Sequence, residues 1–212
     1  MNKATFSKPT LTLFTGILLT LTGYAIASHS PSNTVTYVAS DAPKSQQNQQ
    51  QADQLIQAIK QNQLSKIEQM INNGFDINTP LQGDGTTLML AVKHNNPSLV
   101  DSLINLGADI NQASLGDGNP LIVASKQGHL NMVKHLIDLN ADINAIVKHD
   151  ETALITASRQ GHYDIVKYLV EKGADVNLAV NASTLKGSIM RSPLNQAANN
   201  TIKDYLISQG AQ

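Results

Sequence analysis

Four residue columns recur along this chain at a single step of 33. Gly74, Gly107 and Gly173 share one column, and Asn140 takes the same place between the last two. Two positions on, the residue is acidic each time, at Asp76, Asp109, Asp142 and Asp175. Two further on stand Asn78, Asn111, Asn144 and Asn177. An alanine column, Ala58, Ala91, Ala124 and Ala157, keeps the same step. Composition bias does not lock four columns to one period, whereas a structural unit repeated along the chain does. A period of this length predicts a helical solenoid, in which each unit buries its apolar face only against its neighbours.

Four of the units open on a four-residue box: Thr86-Thr87-Leu88-Met89, Asn119-Pro120-Leu121-Ile122, Thr152-Ala153-Leu154-Ile155 and Ser192-Pro193-Leu194-Asn195. A Gly-His turn follows in two of them, at Gly128-His129 and Gly161-His162, and reads Asn95-Asn96 in the copy before. In box and spacing the chain resembles the ankyrin repeat over roughly residues 52–211. The resemblance implies an all-α fold, a solenoid of about five helix-turn-helix repeats including two atypical caps. Their bounds fall near 52–79, 83–111, 116–144, 149–177 and 190–211. No copy keeps the box histidine of the family, so packing is expected to replace its hydrogen bonds.

Within each unit the apolar spacing is that of two short amphipathic helices, as in Leu55, Ile56, Ile59, Leu64, Ile67, Met70 and Ile71. The first repeat has no box before it and is polar outside, which suits an N-terminal cap. At the other end the register slips. Residues are gained between Asn177 and Met190, and three are lost after Ala197 where Gly161-His162-Tyr163 stand one repeat earlier. A C-terminal cap with a shortened interhelix turn is expected, with the 178–190 loop either a binding element or a tolerated surface loop.

The first 27 residues read differently. Lys3 and Lys8 precede the uncharged stretch Leu11–Ile26, and Ala25-Ile26-Ala27 offers the small residues of a cleavage site, predicting a cut before Ser28. The alternative is a retained signal anchor, although so short a segment falls below the ~20 residues that span a bilayer comfortably. Either way the remainder is expected to be exported, to the periplasm if the leader is cleaved and held at the inner membrane if it is kept. Residues 28–51, polar and ending in Ser45-Gln46-Gln47-Asn48-Gln49-Gln50-Gln51, read as a disordered Gln-rich linker.

Chemistry is thinly represented. The chain has no cysteine, so lipid attachment through a lipobox, disulfides and thiolate metal sites are all excluded. Its net charge of −1 argues against nucleic acid as a partner. No zincin helix, phosphate loop or nucleophile elbow occurs, and six unclustered histidines form no metal set. No catalytic residue, cofactor or metal is therefore assigned, and the chain is read as a non-enzymatic monomer. The repeated aspartates suit turn formation.

One further column stands out: Lys60, Lys93, Lys126 and Arg159, each two residues after a stacking alanine, with Gln61, His94, Gln127 and Gln160 beside them. By the resemblance these positions end the first helices on the concave face, where family members dock protein partners. A ladder of cations there would suit an acidic segment; equally, helix C-termini favour cations for their own stability. The candidate partner contacts are Lys60, Lys93, His94, Lys126, Gln127, Arg159 and Gln160. Glu151, from the irregular Asp150-Glu151 turn, is included with them. A second resemblance, to ankyrin extensions of regulatory membrane zinc peptidases, implies a membrane-anchored sensory arm instead. The zinc motif is absent, so proteolysis does not carry over.

Overall fold

The computed structural model describes residues 42–81, 83–147, 151–184 and 187–212. All of them belong to one compact unit, Ser40–Gln212. The leader and residues 28–41 of the expected linker lie outside the described residues. Helix α1 (Ala42–Lys60) pairs with α2 (Leu64–Asn72), α3 (Thr87–Lys93) with α4 (Pro97–Asn105), α5 (Pro120–Gln127) with α6 (Leu130–Asp138), and α7 (Ala153–Gln160) with α8 (Tyr163–Glu171). A hairpin of β1 (Val180–Thr184) and β2 (Gly187–Arg191) follows, and α9 (Asn200–Ser208) closes the stack.

The box explains where the first helices start. Thr86, Asn119 and Thr152 are N-caps whose side chains accept from the backbone N–H three residues on, at 3.3, 2.9 and 3.2 Å. All three are buried, so each cap also removes a donor that water could not reach. Met89, Ile122 and Ile155, in the histidine position of the box, are buried as well. Packing does replace the imidazole there, and Met89 Sδ additionally accepts weakly from the Thr86 N–H.

The first helices form an inner row, with α1 packed on α3, α3 on α5 and α5 on α7. Helices α3, α5 and α7 are buried along nearly all of their length, α1 on one side only, and Ala58, Ala91, Ala124 and Ala157 have no exposed surface. The second helices bury one stripe each: Val100 and Leu103, Val133 and Leu136, Val166 and Leu169 repeat down the core. Every second helix then ends in the same way. Gly107, Asn140 and Gly173 adopt the left-handed conformation, at φ of 97°, 66° and 95°. In each case two backbone N–H groups turn back on the last helical turn, as when Ala141 N–H donates to Leu136 O at 2.9 Å.

Aspartate and asparagine columns divide the work that follows. Each Asp carboxylate accepts from the backbone N–H two residues on, at 2.8–3.0 Å, closing an Asx turn. Each Asn reaches into the next repeat. Asn78, Asn111 and Asn144 accept from the N–H of Asp109, Asp142 and Asp175 at 2.8, 2.9 and 2.9 Å. Asn177 does the same for Gln212, and also donates to Gly210 O at 3.1 Å. One amide per repeat thus staples successive turns together.

Two sequence expectations are corrected at the ends. The linker was expected to run to Gln51, but α1 already begins at Ala42. Gln, Ala and Lys are good helix formers, and once Leu55, Ala58 and Ile59 are packed, extending an existing helix costs little. The fifth unit is not a helix-turn-helix. The chain from Ser192 to the cap Asn199 is shorter than that from Thr152 to the cap His162, too short for a helix and a turn. Ser192 and Asn195 instead close a tight turn by reciprocal bonds of 3.0 and 3.2 Å, docked onto α7 by Ala198 N–H to Ser158 O. The expected 178–190 loop is the antiparallel hairpin, in which Val180 faces Arg191 and Thr184 faces Gly187.

Candidate functional site

The inner helices end on Lys60, Lys93, Gln127 and Gln160, with Lys126 and Arg159 one residue earlier. The fingers that connect repeats lead into the starts of these helices: Leu81 pairs with Gly85, Ser114 with Gly118, and the β1–β2 hairpin follows the fourth repeat as an enlarged last finger. Large apolar residues are bared along them, with Leu115 78% exposed, Ile146 57%, Ile189 51% and Met190 54%.

The cation ladder keeps its register but divides in two. Lys60 and Lys126 are exposed and make no ion pair among the described residues. Lys93 is half-buried and bound by its own chain: Nζ donates to Asp84 O at 3.1 Å and faces Asp117 Oδ1 at 3.5 Å. It braces one finger against the next, worth under about 1 kcal/mol at such exposure. Arg159 donates from Nε to Glu151 Oε2 at 3.0 Å. His94, Gln127 and Gln160 are exposed, as a docking surface requires.

Glu151 departs from the sequence reading. Only 2% exposed, it is not a surface available to a partner. Its carboxylate takes Arg159 on one oxygen and Arg191 Nη1 on the other, at 2.6 Å, with the Thr156 hydroxyl donating at 3.4 Å. Burying a carboxylate is costly unless it is paired and hydrogen-bonded, and the two guanidiniums supply one donor each. Arg191, at the end of β2, ties the hairpin to the fourth repeat across forty positions of sequence.

Sequence reasoning missed Arg191, yet a signal was present. The residue before each box reads Gly85, Gly118, Glu151 and Arg191. Like positions in adjacent repeats lie side by side, so a glutamate followed by an arginine in one column is a contact pair. The slipped register of the last unit concealed it.

Among the described residues no set of three His, Asp or Glu side chains could hold a metal ion. A cleft of about 360 Å³ between the third and fourth interhelix turns is lined by Gly128, Gly161, His162 and Tyr163. The His162 ring is engaged there with Lys126 O at 3.3 Å, which makes it a structural residue of the turn.

A stack of capped helix pairs, stapled by an amide in each repeat and presenting helix ends and fingers in register, is a repeat scaffold for binding other proteins. The family model for ankyrin repeats (3 copies) matches residues 22–114 and 88–180, well over half of the sequence. The chain belongs to the ankyrin-repeat family. No curated protein matches it.

Proposed function

We propose that this chain is an exported, non-catalytic module that holds an acidic segment of a protein partner along the row of inner-helix ends. The observation that carries the reading is the alternation in the ladder: among the described residues Lys60 and Lys126 stand exposed with no carboxylate paired to them, flanked by the exposed His94, Gln127 and Gln160. An exposed lysine with no internal partner keeps its charge accessible to a partner's carboxylate. Complementary charge would speed encounter and fix register, while the bared Leu115 and Ile146 would supply apolar contact.

The test is affinity capture from an exported-fraction extract, with the native chain and a Lys60→Glu, Lys126→Glu variant as baits. Lys93 and Arg159 are left intact because their partners are internal, and reversing Arg159 would set two carboxylates together at Glu151. A protein retained by the native bait and lost by the variant, at unchanged helicity, supports the groove; equal capture refutes it. Export has its own check: a mature N-terminus at Ser28 supports release, and an intact leader in the membrane fraction supports the anchored sensory arm.

A further inference from the structure

Among the described residues the Glu151 cluster sets two guanidiniums against one carboxylate. Arg159 and Arg191 share one carboxylate, and no other described acid pairs with either. Glu151 is buried, but the two guanidiniums are not: Arg159 is 41% and Arg191 36% exposed. Each uses one nitrogen on Glu151, at Nε and Nη1 respectively, so planar N–H donors remain on both. Anchoring from beneath also lowers the entropy lost when such long side chains bind, because their rotamers are already restricted.

We propose that Arg159 and Arg191 form a carboxylate subsite for the partner's segment, an Asp or Glu side chain or a chain terminus. Ile189 supplies an apolar contact beside it. Alternation along β2 places Ile189 on the face shared with Arg191, and it is half exposed. Lys126 lies one repeat away, exposed and in no ion pair among the described residues, which extends the positive field toward the groove. The fitting segment therefore carries an acidic residue next to an aliphatic one, with further acidic residues toward Lys126. The inference rests on the groove reading above and assigns one end of it to the hairpin finger.

The probe is a library of random 12-residue peptides displayed on phage, selected on the immobilised full chain. Binding of the enriched peptides is then measured to the native chain, to Arg191→Gln and to Lys60→Glu, Lys126→Glu. Peptides pairing Asp or Glu with an aliphatic neighbour, weakened tenfold or more by Arg191→Gln, support the subsite. Replacing the peptide's acid by its amide gives a second reading that needs no change in the protein fold. The amide should bind the native chain as weakly as the acid binds Arg191→Gln, and should lose nothing further on that variant. Acidic peptides lost with the lysine variant but indifferent to Arg191→Gln overturn the subsite and leave the groove standing. Loss with Arg191→Gln alone supports the subsite and sinks the lysine groove. Enrichment of peptides without acids overturns both.

Discussion

Replacing Asn144 by Ala tests the proposition that the asparagine column, rather than helix packing alone, couples neighbouring repeats. The side chain makes two bonds into the following unit, one of 2.9 Å from Asp175 N–H and one of 3.4 Å to Gly173 O. The first is well formed and the second close to the limit of a hydrogen bond. A net intramolecular bond is worth about 0.5–1.5 kcal/mol. Asp175 and Gly173 are exposed, so water satisfies the orphaned groups and no desolvation penalty is added. The expected loss is about 1–2 kcal/mol. It falls on an interface between repeats, so cooperativity should suffer along with stability. Urea unfolding followed by circular dichroism should show a lower midpoint and a shallower slope. Hydrogen exchange should rise in α8 and α9 before it rises in α5 and α6. Asn177→Ala, whose partners Gly210 and Gln212 sit at the chain end, should cost less. A loss below about 0.3 kcal/mol with unchanged slope, or equal losses for the two variants, would refute the staple as a coupling element.

Enlarging Ala124 to Leu should overpack the inner row and cost about 1–3 kcal/mol by chemical denaturation, since the site has no exposed surface and helices on both sides. Leu136→Ala, at a fully buried ridge position, should cost about 2–5 kcal/mol in the same assay. At φ 66° Asn140 should tolerate Gly with little change, while Ala there should destabilise by about 1 kcal/mol; equal effects would contradict the left-handed cap. Deleting the helical extension through Gln51 should reduce the helical signal but move stability by less than about 0.5 kcal/mol, because Gln49, Gln50 and Gln51 are all exposed.

Much of the architecture was legible in the sequence because each column answers a local requirement. A left-handed residue must be Gly or Asn, which marks positions 107, 140 and 173. A buried helix start needs a side chain that caps, so Thr86, Asn119 and Thr152 mark the inner helices. Helices packed at close range on both sides admit only a small residue, hence the unbroken alanines. Contacts in a solenoid recur at the repeat length, so a pattern read along the chain is also a pattern in space. The cation column was found by that logic, and its members stand at or one residue before the ends of the inner helices.

What the tertiary structure alone decided lies where the periodicity fails or where a column's members meet different neighbours. Four cations look alike in sequence, yet Asp117 and Glu151 occupy two of them, while Lys60 and Lys126 meet no acid among the described residues. The insertion after Asn177 became a hairpin, and the shortened stretch after Ser192 a tight turn in place of a helix. Residue spacing alone could not choose between a loop and paired strands. Helix propagation carried α1 back to Ala42 through residues whose composition suits a tether equally well. Above all, the burial of Glu151 between Arg159 and Arg191 depends on two segments forty positions apart being brought together. Local propensity sets caps and turns; only the packed stack determines which charges are neutralised and which remain for a partner.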